Sequence, residues 1–325
     1  MVVLPVIGLF ASLVQGDPID SGRVETRAIY SRALGVTKAI TVYLPPSYAT
    51  SGRSYPVVYY LHGALGNERS WVDGLELHRV ADSLFRGGLP EAILVMPDGD
   101  TGYWTDWATP EGFSELCRRD TVRREPAATY CVIHGRYETY VAEDLVPLID
   151  REYRTIADRE HRALAGLSMG GYGAFWLALK HPELWGAAVS HSGVVNPLYV
   201  GPHPFVGNAR FAAEPGEILE QWAPRRRPLF LREFGTDTSG WWARDPFRQL
   251  LRLVQAGQQL PHLFFDVGTA DFLADQNRAL ADTLRKLAVP HRFAEWPGGH
   301  DAAYWRAHEA EGLGWLLRLF PSRQE

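Results

Sequence analysis

One serine in the chain stands in surroundings suited to nucleophilic chemistry. Residues 166–170 read Gly166-Leu167-Ser168-Met169-Gly170, a G-x-S-x-G pattern. The apolar run Ala163-Leu164-Ala165 leads in like a buried strand, and Met169 to Lys180 follows with helical apolar spacing, so Ser168 falls at a strand-to-helix turn. Such a turn strains the backbone, and side chains at positions 166 and 170 would collide with neighbouring elements. Glycine removes the clash. The turn also aims the helix N-terminus, with its unpaired N–H groups, at the place where an oxyanion would form. Gly166, Gly170, Gly171 and Gly173 do not fall into G-x-G-x-x-G, and no G-x-x-x-x-G-K-[ST] occurs.

A serine hydroxyl needs a base to take its proton and a carboxylate to orient that base, and in folds with this turn the chain order is Ser, acid, His. Eleven histidines compete for the role of base. His300, in Trp296-Pro297-Gly298-Gly299-His300-Asp301, lies just beyond the last expected strand and before the last helix, where a loop can bend its imidazole over the serine. The others precede the serine, lie at element ends or in an insertion, or sit within the last helix. For the acid, the strand Leu263 to Val267 runs into Gly268-Thr269-Ala270-Asp271, which puts Asp271 in the loop just past the strand. Asp266 would point into a sheet face, and Asp301 would cap the last helix. The loop Leu61-His62-Gly63-Ala64-Leu65-Gly66 can offer a backbone N–H to the oxyanion, from Ala64 or the adjacent Leu65, with the N–H of Met169 as second donor.

These residues need a scaffold, and the hydrophobic pattern supplies one. Ala39–Leu44, Tyr55–Leu61, Ala92–Met96, Trp185–Val189, Leu263–Val267 and Arg292–Trp296 read as strands. Leu77–Phe85, Val141–Tyr153, Gln276–Leu287 and Ala303–Phe320 read as helices. The alternation predicts an α/β fold with a mostly parallel sheet covered on both faces, in one domain over residues 17–325. Two stretches, at about 101–136 and 194–260, interrupt it after strand C-termini, where loops build the ligand crevice of an open parallel sheet.

Bulk properties narrow the function classes. With 325 residues and 46% apolar composition the chain can bury a large core, and a net charge of −5 disfavours a nucleic-acid partner. The only dense basic run, Arg225 to Arg227, reads as a solvated loop. Neither C-x-x-C nor H-E-x-x-H occurs, and no metal or cofactor is expected. Met1 to Val14 is apolar but too short to span a membrane, and residues 1–16 are expected to be a signal peptide, although no basic residue precedes Arg23. Export to a secreted or periplasmic location is the expectation, with the cytoplasm as alternative. In an exported protein Cys117 and Cys131 would bridge.

Together, Leu61-His62-Gly63, Gly166 to Ala174, His181-Pro182-Glu183, Gly268 to Leu273 and Pro297 to Trp305 resemble the esterase D-like group of α/β-hydrolases. That group holds feruloyl, acetylxylan and tributyrin-type esterases, S-formylglutathione hydrolases and the mycolyltransferase antigens. The resemblance covers roughly residues 39–320. It implies the α/β-hydrolase fold, a triad matched at Ser168, Asp271 and His300, and oxyanion donors matched at Ala64 and Met169. The Leu61-His62-Gly63-Ala64-Leu65-Gly66-Asn67 segment departs from the Ser-Gly-Leu-Thr-Cys loop of the formylglutathione hydrolases and lacks the Asp-Gly of the mycolyltransferases. The segments 112–136 and 194–260 match no named subgroup.

The expected activity is that of a serine carboxylesterase on short-chain or aromatic esters, free or linked to carbohydrate. An acyltransferase with the same triad, using a sugar or alcohol in place of water, is the alternative. A catalytically silent binding module would not need all three triad positions filled. Tyr103, Trp104, Trp107, Trp241, Phe272 and Trp305 supply flat rings around the expected crevice, suited to aromatic or sugar-like ligands. No long continuous apolar lid helix is evident between Val194 and Leu260, which disfavours an interfacial lipase.

Overall fold

The computed structural model describes residues 21–117, 130–222 and 227–321. The expected signal peptide and part of the basic run at 225–227 lie outside the described residues. Eight strands form one sheet in the order β1-β2-β4-β3-β5-β6-β9-β10, comprising β1 (Arg23–Ser31), β2 (Val36–Leu44), β3 (Val57–Leu61), β4 (Ile93–Pro97), β5 (Arg162–Leu167), β6 (Ala187–His191), β9 (His262–Gly268) and β10 (Arg292–Trp296). From β4 through to β10 every pairing is parallel, while β1 and β2 join antiparallel at one edge. β3 and β5 are buried at every position, as expected of central parallel strands covered on both faces. Helices Leu77–Arg86 and Ala302–Leu319 pack on one face. Helices Val146–Glu152, Met169–Lys180, Pro246–Gln255 and Ala274–Lys286 pack on the other. This is the α/β-hydrolase architecture.

Two elements differ from the sequence reading. β1 was not expected. It is an edge strand whose exposed positions include Ala28 and Tyr30 while its half-buried ones include Glu25 and Arg27, so it carries no apolar run, and its pairing in register with β2 defines it. The expected helix Val141–Tyr153 is broken into a π-helical segment, Tyr140–Leu145, and the α-helix Val146–Glu152. Pro147 at the start of that α-helix has no N–H to continue the ladder backwards.

The two insertions fold over the strand ends. Cys117 and Cys131 are bridged, with Cα atoms 5.4 Å apart, and tie the first insertion to itself. The second holds a two-stranded ribbon, β7 (Tyr199–Gly201) and β8 (Arg210–Phe211), and short helices at Pro215–Trp222, Arg227–Phe234 and Thr238–Trp242. Among the described residues no helix is long and apolar enough to cross a membrane.

One buried acid in the last helix makes stability depend on pH. Glu309 is 1% exposed and neither carboxylate oxygen has a partner among the described residues. Burial, opposed by Arg306 and aided by Glu76, pushes its pKa up to about 9. Because the folded value lies above that of the unfolded chain, the protonated carboxyl is tolerated fully below about pH 4.5, and stability is lost as pH rises towards 9. Glu309→Gln should therefore gain stability over the wild type progressively from pH 5 to pH 9 in denaturant titrations; a difference constant across that range would contradict this.

Candidate active site

Ser168 sits between the last residue of β5 and the first of helix Met169–Lys180, with φ 53° and ψ −116°. A non-glycine residue in this region is strained by on the order of 1–3 kcal/mol and persists only where its surroundings fix it. They do so here. Its N–H donates to the His191 carbonyl at the end of β6 (2.9 Å), and its own carbonyl accepts from Tyr172 (3.0 Å) and Val194 (3.3 Å). The flanking glycines are required by close approach: a Cβ on Gly166 would lie 2.1 Å from the Gly170 carbonyl oxygen, and one on Gly170 2.0 Å from that of Leu61.

A continuous chain of hydrogen bonds starts from the serine. Ser168 Oγ lies 2.8 Å from His300 Nε2, and His300 Nδ1 lies 2.9 and 3.1 Å from the two oxygens of Asp271. With a carboxylate on Nδ1, the proton belongs on that nitrogen, which leaves Nε2 as acceptor for the serine hydroxyl. The Asp271 side chain is fully buried and also accepts from the Leu273 N–H (2.8 Å), which fixes its rotation. The imidazole packs against two rings, Phe272 at 4.4 Å, tilted, and Trp305 at 5.0 Å, near-perpendicular, between ring centroids. Asp301 caps the last helix through the N–H groups of Ala303 and Tyr304, as the sequence suggested.

The loop after β3 stands against the serine. Gly66 N–H donates to the Gly63 carbonyl (3.0 Å), closing a turn with Ala64 and Leu65 at its centre and Leu65 at φ 68°. That bond leaves the Ala64 and Leu65 N–H groups unused by the turn. His62 fixes it from below: Nδ1 donates to the Gly63 carbonyl (2.8 Å), while Nε2 accepts from Gly99 N–H (2.9 Å). Met169 begins the helix immediately after the serine and is buried.

A further buried network was not legible in the sequence. His191 Nδ1 bonds Asp266 Oδ2 (2.6 Å), whose other oxygen accepts from the Tyr304 hydroxyl (2.9 Å). Burial, then the charge of Asp266, raises the Tyr304 pKa far above its usual value, so it remains a donor. The ladder joins the ends of β6 and β9 to the start of the last helix, the elements around Ser168, Asp271 and His300. Beneath the His62 loop, Lys38 Nζ pairs with Asp98 (2.6 Å) and Asp100 (2.8 Å). Burial opposes the Lys38 charge, but the attraction of Asp100 and Asp98 outweighs it and raises its pKa.

Ser168 and His300 open on a pocket of about 650 Å³. Of the residues expected to bind substrate, Tyr103, Trp241, Phe272 and Trp305 line it, and Ala64 stands on its wall. Trp104 and Trp107 do not. Trp104 is wholly buried, its ring packed on Gly99 and Gly173 and its Nε1 donating to the His62 carbonyl (3.3 Å), so it supports the loop from beneath. Trp107 is buried within the first insertion, against Gly135 and Phe113. The second insertion supplies lining residues that sequence reading did not single out, among them Asn196, Tyr199, Ile218 and Phe230. They have no motif, because only the return of this segment over the strand ends brings them to the serine. No lysine, arginine, aspartate or glutamate lines the pocket among the described residues.

Residues 31–316 match the Esterase family model. The chain belongs to the Esterase family. Esterase Rv1288 of Mycobacterium tuberculosis is 28% identical over a 305-residue alignment that covers 87% of this chain and 57% of that protein. An endo-1,4-beta-xylanase/feruloyl esterase of Xylanibacter ruminicola is 29% identical over 52% of this chain and 21% of its own length. The chain thus spans little more than half of these curated relatives at most. Among solved structures, a ferulic acid esterase is 25% identical with a TM-score of 0.66, covering 92% of this chain and 99% of that one. An S-formylglutathione hydrolase from Agrobacterium tumefaciens, 19% identical with a TM-score of 0.67 over 95% and 99% of the two chains, shares the fold.

The approach of Gly170 to the Leu61 carbonyl gives a sharp test. The three atoms nearest an added Cβ there are backbone of Leu61 and His62, so Gly170→Ala must displace the end of the strand that carries the Gly63–Gly66 turn. The variant should lose roughly 3 kcal/mol of stability together with most of its ester turnover. A melting temperature and turnover equal to the wild type would contradict the packing described.

Proposed function

We propose that this Esterase-family protein hydrolyses carboxylic esters through a covalent acyl-enzyme on Ser168, acting on short-chain or aromatic acyl groups. The observation that carries the reading is the unbroken chain Ser168 Oγ to His300 to Asp271 at the wall of a 650 Å³ pocket. The pocket exceeds what an acetyl group needs and lies in the range of sites for drug-sized ligands. Its lack of formal charge suits a neutral ester. The named relatives, esterases and a feruloyl esterase among them, agree with this chemistry.

In this mechanism Ser168 Oγ attacks the carbonyl carbon as His300 Nε2 takes the hydroxyl proton. The resulting imidazolium is held by Asp271, and the N–H groups of Ala64 and Met169 receive the charge on the carbonyl oxygen. Collapse breaks the bond to the alcohol, which leaves with the proton from Nε2. Water then repeats the sequence on the acyl-serine, giving up its proton to His300, and the acid departs as Ser168 is restored. We further propose export to an oxidising compartment, supported by the Cys117–Cys131 bridge.

Ser168→Ala should abolish turnover of p-nitrophenyl acetate while leaving the melting curve in place. Asp271→Asn should cost on the order of 10⁴ in kcat, because an amide at that position favours the wrong imidazole tautomer. Near-normal kcat in either variant would overturn the mechanism.

A further inference from the structure

The start of helix Ala274–Lys286 holds the chain that leaves β6 by three consecutive side chains. Asp275 accepts from the Phe205 N–H (2.9 Å), Gln276 Oε1 accepts from the Asn196 N–H (3.0 Å), and Asn277 Nδ2 donates to the Gly193 carbonyl (3.0 Å). The third contact reaches towards Ser168. The Gly193 carbonyl and the Val194 N–H belong to one planar peptide unit, and that N–H donates to the Ser168 carbonyl (3.3 Å). Gly193 also lies backbone to backbone against the helix that follows Ser168: a Cβ on Gly171 would stand 2.7 Å from Gly193 Cα. Asn277 Nδ2 donates as well to the Leu273 carbonyl (2.9 Å), and the Leu273 N–H donates to Asp271 Oδ1 (2.8 Å). A single carboxamide thus joins the peptide that grips Ser168 to the residue that grips Asp271.

Satisfying polar groups does not explain an amide at this position. Asn277 is wholly buried, and its Oδ1 has no partner among the described residues. Both carbonyls that Nδ2 reaches already hold a backbone donor, Gly193 from the Val195 N–H (3.0 Å) and Leu273 from the Asn277 N–H (3.2 Å). A buried oxygen left unpaired is costly, whereas a hydrocarbon of the same shape here would orphan neither carbonyl. What only the amide supplies is the tie between the two loops. That tie needs its NH2 end turned to both carbonyls, which fixes the rotation of the side chain.

Resting on the ester-hydrolysis reading above, we propose that Asn277 is a positioning residue, which sets the loop bearing Asp271 against the turn bearing Ser168 and so fixes the gap that His300 must span. His300 comes from a third loop and meets Ser168 at 2.8 Å and Asp271 at 2.9 Å. With the tie removed, Gly193 and Leu273 each settle on their own backbone donors, and the imidazole satisfies one partner at the expense of the other.

The test measures kcat and KM for p-nitrophenyl acetate, the rate of phosphonylation by a fluorophosphonate and the melting temperature, in the wild type, Asn277→Leu and Asn277→Ala, with Asp275→Ala beside them. Asn277→Leu keeps the shape of the side chain and removes the tie. Its melting temperature should stay at or above that of the wild type, while kcat and the phosphonylation rate fall by roughly tenfold to 10²-fold at unchanged KM, the scale of loss when a reacting group is misplaced by about 1 Å. Asn277→Ala should lose kcat and phosphonylation in the same way, whatever its cavity does to the melting temperature. Asp275→Ala frees Phe205 and His203 from the same helix turn but leaves the tie intact, and should keep the kcat of the wild type. Wild-type kcat in either Asn277 variant, a loss confined to KM, an equal loss of kcat in Asp275→Ala, or a failure of both Asn277 variants to fold would overturn the role. A wild type that does not turn over p-nitrophenyl acetate would instead overturn the ester-hydrolysis reading itself.

Discussion

The structure depends on the contact between the turn at Ser168 and the ends of its neighbouring strands. The serine can hold φ 53° only because its N–H is bound by β6, its carbonyl by Tyr172 and Val194, and its flanking glycines let backbone meet backbone. That packing aligns Ser168, the helix N-terminus behind it and the end of β3 in one rigid unit. The Gly63–Gly66 turn inherits its position from the same contact, since it leaves β3 at the residue that Gly170 touches. Strain at one residue is thus sustained by many ordinary hydrogen bonds around it.

Polar networks then carry this geometry outward. The His191–Asp266–Tyr304 ladder links two strand ends to the last helix, so the loops bearing Asp271 and His300 are referred to the same frame as the serine. Lys38, Asp98 and Asp100 serve the other side, beneath His62 and its turn. Buried charges and imidazoles are expensive unless fully bonded, and their concentration around the strand ends is consistent with a demand for position rather than for stability. The Glu309 carboxyl, by contrast, is buried without a partner and stays neutral at moderate pH.

Local patterns were legible where the physics is local. The helix Met169–Lys180 and the strand β10 are read from spacing alone, and Asp271 and His300 from chain order and their places after strands. Ser168, His300 and Asp271 come together at hydrogen-bond distance because strand C-termini converge on one edge of a parallel sheet. β1 was missed because an edge strand with solvated faces has no apolar signature, and the break before Val146 because Pro147 acts on a register that periodicity does not report. Trp104 and Trp107 were assigned to the pocket by proximity to a strand end, but large rings near a site also serve as its foundation, and here glycines open space for them inside the core. Asn196, Gln276 and Phe230 stayed invisible because their meeting depends on how a long insertion folds back, which no short-range pattern encodes.

Membership of the Esterase family and the convergence of Ser168, His300 and Asp271 lead to one central claim, that Ser168 carries the acyl group. Peptide mass spectrometry after reaction with a fluorophosphonate, with and without a competing ester, tests it directly. The account predicts a single phosphonylated peptide containing Ser168, with modification slowed by the ester. Modification at a different serine, or none while ester hydrolysis proceeds, would contradict it.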